Sequence, residues 1–151
     1  MRAVIQRVSE AKVEAEGKIT GKIGKGLLVL LGIGKNDCIK DFQYIANKVA
    51  NLRIFQDEDE KFNKSLIDIK GDVLIVSQFT LYGDCRKGRR PSFDQAGKVE
   101  ESRKIYNEFV KFFKEQYPEL KVREGVFQAY MQVSLINDGP VTFILDSSKI
   151  I

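Results

Sequence analysis

Nine residues, Gly26 to Gly34 (GLLVLLGIG), limit what this chain can become. The run has no polar side chain, so it cannot present one wet face and one dry face. It is also far shorter than the roughly 20 residues with which a helix crosses about 30 Å of hydrocarbon. An unbroken apolar run of this kind, bounded by glycines, reads as a β-strand buried on both faces. Structure is therefore expected on either side of the sheet that contains it.

The neighbouring segments supply it. RAVIQRVS and KVEAEGK alternate apolar and polar residues as strands do, and GKITGKIGKG offers turns at its glycines. From Asp37, read as an N-cap, Ile39, Phe42, Ile45, Ala46, Val49 and Leu52 recur at helical spacing. QDEDEKFNK (56–64) reads as a polar surface loop, and DVLIVSQFTLYG (72–83) as a second heavily apolar strand. CRKGRRPSFDQAGK (85–98) reads as an irregular loop. From Ser102, Ile105, Tyr106, Phe109, Phe112 and Phe113 describe a second helix that ends before Pro118. VREGVFQAYMQVSLINDGPVTFILD (122–146) reads as strands joined by a tight turn at Asp138-Gly139. Strands and helices do not alternate strictly. The expectation is an α/β fold: a single compact layered domain over residues 1–151, with mixed and antiparallel β-sheets packed against two main helices.

The 151 residues include no histidine, which excludes Ser-His-Asp and Cys-His triads. Catalysis would have to use carboxylates, Lys, Tyr, Ser, Thr, Cys, backbone amides, a bound ion or groups on the substrate itself. Cys38 and Cys85 stand far apart with no CxxC pair, so neither a metal nor a cofactor is expected. The amino-terminal MRAVIQRVSEAKVE places charges before any stretch of signal-peptide length, and a cytoplasmic protein without a membrane segment is expected. The net charge of +4 is compatible with a nucleic-acid partner and decides nothing alone.

Three short motifs could carry chemistry. Ser77-Gln78-Phe79-Thr80 lies where the second apolar strand runs out; on an extended chain Gln78 and Thr80 would share one face, and Ser77 and Phe79 the other. Hydroxyls, an amide and free backbone N–H groups at a strand end can hold a developing oxyanion, although polar strand ends are often only structural. Arg86, Lys87, Arg89 and Arg90 place four cations within five residues directly after it, suited to phosphates or simply to water, and Phe93 offers a stacking face. Gly139-Pro140 is a step at which a cis bond is cheap, or else a proline that opens an edge strand.

Together, SQFTLYGD (77–84), KGRRPSF (87–93) and NDGPVT (137–142), in that order, resemble the D-aminoacyl-tRNA deacylase family, also called D-tyrosyl-tRNA deacylases, and the likeness runs from MRAVIQRV to FILD. The resemblance implies a compact α/β homodimer that hydrolyses the ester between a D-amino acid, or glycine, and the 3′-terminal adenosine of tRNA. It implies that Ser77, Gln78, Phe79 and Thr80 form the catalytic segment, that Gly139-Pro140 is cis and enters the partner subunit's site to reject L-amino acids, and that the terminal 2′-hydroxyl of the tRNA assists catalysis. It further implies that Ala96 meets the α-amino group through its backbone, and that Phe127 and Met131 line an adenosine pocket. Gln128 departs from the family's usual form, which has glycine after the phenylalanine. A competing reading is a non-catalytic nucleic-acid-binding module resting on the cationic loop. A third is a hydrolase that uses Cys85.

Overall fold

The computed structural model describes residues 1–151. In chain order the elements are β1 (Arg2–Ala15), β2 (Lys18–Ile23), β3 (Gly26–Gly32), α1 (Ile39–Asn51), β4 (Phe55–Gln56), β5 (Phe62–Lys64), β6 (Asp72–Ser77), α2 (Val99–Gln116), β7 (Lys121–Glu124) and β8 (Met131–Asp146). A 3-10 turn, Phe79–Tyr82, follows β6. β1 is bonded along both edges. One edge takes β3 from Arg2 to Val8 and β2 from Ala11 to Ala15, and the other takes β8 along nearly its whole length, all antiparallel. β3, β6 and β7 then pair in parallel. Parallel neighbours need crossovers, and α1 and α2 provide them. The result is a mixed α/β fold with two helices and one strongly curled, nearly closed sheet. Neither helix is long and apolar enough to cross a membrane.

The run GLLVLLGIG is buried on both faces, and its alternate residues enter two separate cores. Leu27, Val29 and Leu31 join Val73 and Ile75 of β6 beneath Ile45, Val49, Phe109 and Phe113 of the helices. Leu28 points the other way, to Val8, Ala11, Val13, Ile23, Leu74 and Val76. The second core exists because the sheet curls until β2 approaches β6 and β7. Gly21 permits this approach: a Cβ there would lie 2.9 Å from the Glu124 carbonyl and 2.9 Å from Leu74 Cδ1. It therefore sits inside a strand rather than at a turn, and the chain reverses at Glu16-Gly17, both with positive φ.

Other expectations are corrected by long-range contacts. Asp37 does not cap α1; its carboxylate accepts the Gly34 amide at 2.6 Å, and Cys38 is the N-cap, its own amide held by Asp41 at 2.8 Å. Residues 56–64 are not a plain loop but carry the β4–β5 hairpin. α2 starts at Val99, a turn ahead of Ser102, and β6 stops at Ser77 rather than running to Gly83.

The largest correction concerns Asp138-Gly139, which makes no hairpin. β8 is one strand that stays beside β1 on both sides of this step. Gln6 pairs with Thr142 and Val8 with Asn137, so Asp138 to Val141 bulge out opposite Arg7 alone. The Gly139-Pro140 bond is cis. Backbone groups pushed out of a ladder need other partners. Arg7, whose side chain is only 7 % exposed, donates from Nε to the Asp138 carbonyl at 2.7 Å and from Nη1 to the Ile54 carbonyl at 2.9 Å. Across the bulge, Asn137 Oδ1 accepts the Val141 amide at 2.7 Å, while Nδ2 donates to Thr142 Oγ1 at 3.1 Å.

Two outcomes follow from these contacts. Arg7→Met strips two carbonyls of charge-assisted donors and should cost about 3 kcal/mol in urea unfolding. Amide exchange at Val141 should accelerate more than at Ile45. Secondly, burial would raise the Asp146 carboxyl, but hydrogen bonds from Ser148 and Arg2 outweigh it and hold the group below the usual range. A depressed carboxyl stabilises the fold above its unfolded pKa, about 4, and that stability is lost as pH falls through the folded value. The stability gap between wild type and Asp146→Asn should narrow between pH 6 and pH 3, as measured by urea midpoints.

Candidate active site

A cavity of about 440 Å³ opens at the carboxyl ends of β3 and β6. Its walls are mainly apolar, formed by Leu31, Ile33, Val76, Val99 from α2, and Phe127, Met131 and Val133. Ser77, Gln78 and Ser102 add polar groups to it. A volume of roughly 300 to 1,000 Å³ with few convergent polar groups is usual for a small-molecule site.

The chain around Ser77 explains the polar end. Ser77 is the last residue of β6, and Gln78 continues the ladder only through its amide, which donates to the Leu31 carbonyl at 2.8 Å. Gln78 then turns (φ −144, ψ 76) into the 3-10 segment. The expected alternation of faces is thereby replaced: Ser77, Gln78 and Phe79 all line the cavity, and Thr80, the next residue, does not. The first bond inside the turn runs from the Leu81 amide to the Gln78 carbonyl at 3.3 Å. The amides of Phe79 and Thr80 precede it and have no partner within the turn. The Gln78 side-chain amide bonds the Thr80 hydroxyl. An amide is not a base near neutral pH, so Gln78 does not activate Thr80 as a nucleophile.

Across the cavity, the Phe127 ring meets Tyr106 (centroids 5.5 Å, 46°) and lies under the Arg103 guanidinium, 4.9 Å from the ring centroid. Tyr106 is itself fixed by its hydroxyl, which donates to the Ile75 carbonyl at 2.9 Å; burial pushes that phenol far above its ordinary range. Gln128 has φ +67, a left-handed conformation that costs a non-glycine residue roughly 1 to 2 kcal/mol. Its side-chain oxygen accepts Arg103 Nη2 at 2.7 Å.

The cationic loop adjoins the same end. Asp84 and Ser92 exchange two backbone bonds at 2.7 and 3.0 Å and so close it. Arg86 is engaged within the loop: its guanidinium holds both Asp84 carboxylate oxygens, at 2.8 and 2.7 Å, and this fork keeps the Asp84 carboxyl far below the usual range. Lys87, Arg89 and Arg90 are exposed and form no ion pair. Phe93 packs edge-on against Phe79 at 5.0 Å and ties the loop to the cavity rim. Ala96 bridges Gly34, and its neighbour Gly97, whose amide donates to the Ile33 carbonyl at 2.9 Å, lines the cavity.

Ser77, Gln78, Phe79, Phe127 and Met131 thus share one cavity, with Thr80 and Ala96 next to its lining. Gly139 and Pro140 do not line it; they stand exposed in the β8 bulge. The edge of β8 away from β1 is unpaired, and Ile136, Phe143 and Ile144 are exposed on that strand. Sequence reading missed Arg7, Asn137 and Arg103. Only Asn137 carried a usable signal, as an Asx side chain beside an Asp-Gly step. No three His, Cys, Asp or Glu side chains cluster as metal ligands would. Cys85 is exposed with no ionisable partner bonded to it.

Comparison with known proteins places the whole chain. The family profile described as D-Tyr-tRNA(Tyr) deacylase matches residues 4–146. Proteins named D-aminoacyl-tRNA deacylase from Thermosipho africanus and Thermosipho melanesiensis are 61 % and 59 % identical over 150 residues, covering 99 % of both chains. One from Clostridium botulinum (strain Alaska E43) is 60 % identical over 149 residues, again covering 99 % of both chains. Among solved structures, the c-Myc DNA Unwinding Element Binding Protein superposes with a TM-score of 0.92 at 41 % identity, over 97 % of this chain and 98 % of that one. A probable eukaryotic D-amino acid tRNA deacylase shares the fold, with a TM-score of 0.84 at 18 % identity over 95 % and 97 %. A profile match over residues 4–146, with relatives about 60 % identical over 99 % of the chain, establishes that the chain belongs to the D-Tyr-tRNA(Tyr) deacylase family of hydrolases.

Proposed function

We propose that this chain hydrolyses the ester joining a D-amino acid, or glycine, to the 3′-terminal adenosine of tRNA, as a homodimer in the cytoplasm. The observation that carries this reading is the cavity at the end of β6, apolar along its walls and polar at the Ser77–Thr80 end. Such a space suits a base and ribose whose reactive ester ends among hydrogen-bond donors. In this reading Phe127 and Met131 receive the adenine, and Ala96 offers its backbone to the α-amino group. Ser77, Gln78 and the amides of Phe79 and Thr80 hold the ester carbonyl. Lys87, Arg89 and Arg90 take phosphates of the acceptor end, whereas Arg86 serves mainly to brace the loop through Asp84.

Chiral selection is assigned to Gly139 and Pro140 of a second copy. They do not line their own cavity, they are exposed, and their neighbours Asp138 and Val141 are bonded by Arg7 and Asn137. The unpaired edge of β8 and its exposed isoleucines favour a second copy as the occupant of that surface. Backbone carbonyls fixed at the substrate's α-carbon would collide with an L side chain, while a D side chain points away and glycine has none. The purified protein should consume D-tyrosyl-tRNA and glycyl-tRNA rapidly and leave L-tyrosyl-tRNA intact. Survival of all three esters while tRNA still binds would instead establish a non-catalytic nucleic-acid-binding module, a reading that the name of the c-Myc DNA Unwinding Element Binding Protein keeps in view.

Chemistry without a histidine is assigned to positioning, with the terminal 2′-hydroxyl of the tRNA helping to activate water. Thr80→Ala should therefore retain deacylation within about tenfold of wild type, the scale of one lost hydrogen-bonding group rather than a lost nucleophile. A D-tyrosyl-tRNA ending in 2′-deoxyadenosine should resist the wild-type enzyme. Normal cleavage of that substrate in single-turnover assays would rule out substrate assistance.

A further inference from the structure

We infer that Arg103 is a positioning residue for the nucleoside half of the substrate, acting through Phe127 and Gln128, which form one wall of the cavity. The inference rests on reading that cavity as the adenosine site. Arg103 and Tyr106 lie three residues apart on α2 and so occupy adjacent positions on one face of the helix. Both reach the same ring: Tyr106 meets Phe127 at a tilt, and the Arg103 guanidinium covers it at 4.9 Å. From the same guanidinium, Nη2 donates at 2.7 Å to the side chain of Gln128, the next residue and one held at positive φ. One planar cation thus fixes the tilt of an aromatic wall and the left-handed backbone step beside it.

The plainer account of Arg103 is a solvated cation on a helix surface, and the geometry counts against it. The side chain is 40 % exposed, and its nearest carboxylate, Glu100, stands 3.9 Å from Nε, too far for a hydrogen bond. Its one short polar contact is Gln128. Glycine would take φ +67 freely, whereas Gln128 takes it with a side chain anchored to α2. The pair Arg103–Gln128 therefore replaces a flexible backbone point with a braced one, directly beneath the surface on which a base would stack.

The test is steady-state kinetics with D-tyrosyl-tRNA, together with adenosine 5′-monophosphate as a competitive inhibitor, on wild type, Arg103→Ala, Arg103→Lys, Gln128→Gly and the double variant Arg103→Ala/Gln128→Gly. Arg103→Ala should raise both KM and the inhibition constant about five- to tenfold, with kcat within about twofold, because the wall and not the ester end is disturbed. Arg103→Lys, which keeps a cation and a donor, should recover most of that loss. In the Gln128→Gly background the effect of Arg103→Ala should shrink, since the two residues act as one unit. Unchanged KM and inhibition constant in Arg103→Ala would overturn the inference and leave the proposed activity standing, as would a loss confined to kcat. A wild type that leaves D-tyrosyl-tRNA uncleaved and does not bind the nucleotide would overturn both.

Discussion

The Arg7 guanidinium is the contact on which the distinctive part of this structure depends. β1 is hydrogen-bonded along both edges, so its partners can leave the ladder only where another group satisfies the backbone they expose. Asp138 to Val141 leave it opposite Arg7, and the side chain of that residue, buried under the sheet, binds the Asp138 carbonyl and the Ile54 carbonyl together. One cation thereby joins β1, β8 and the approach to the β4–β5 hairpin. A buried charge is costly unless its donors are engaged, which makes this arrangement stable in one register and unfavourable in neighbouring ones. The exposed Gly139-Pro140 segment is thus presented on a braced scaffold rather than on a free loop.

The curl of the sheet does for the cavity what Arg7 does for the bulge. Because β2 closes on β6 and β7 at Gly21, the strand ends of β3 and β6 are drawn under the segment that precedes β8. The residues that line the space come from β3, β6, the start of α2 and the Phe127–Met131 stretch, brought together by a single closure. Arg2 extends the link outward. It donates to Asp146 of β8 at 3.1 Å and to the Leu81 carbonyl of the 3-10 turn at 3.0 Å. The first and last strands are in this way coupled to the turn that carries Phe79 and Thr80.

The pattern of legibility follows the range of the interactions. GLLVLLGIG and the helical series through Phe42, Ile45, Val49, Phe109 and Phe113 were readable because burial imposes a local period on each segment. The motifs at Ser77–Thr80 and Phe127–Met131 were readable as a family pattern, and the cavity does gather most of them. What failed was decided far away in the chain. Asp138-Gly139 has the local chemistry of a hairpin, and the competing pairing with a strand more than a hundred residues earlier overrides it. Asp37 has the local chemistry of an N-cap, but the amino-terminal ammonium of Met1, at 2.5 Å, and the Gly34 amide claim its carboxylate. Arg103 sat on the polar face of a periodic helix, where nothing in the spacing distinguishes a solvated cation from one that braces an aromatic ring.

A chain without histidine also constrains how chemistry at this site is arranged. The groups near the Ser77–Thr80 end are an amide, two hydroxyls and backbone N–H donors, none of which takes a proton at neutral pH. Two ionisable side chains of the surrounding elements are turned to structural ends: Asp84 is held by Arg86, and Tyr106 is pushed upward by burial and bonded to a carbonyl. Such a site can orient an ester and stabilise charge that develops on it; in the proposed reading the proton is managed by water and the substrate. Rate then depends on how rigidly the substrate is held, because a misplacement of about 1 Å can cost on the order of a hundredfold when position is the main catalytic resource. Arg103 with Gln128 fixes ring and backbone geometry at the cavity wall, and Arg2 with Asp146 steadies the 3-10 turn beside it, while Arg7 with Asn137 fixes the exposed β8 bulge away from the cavity.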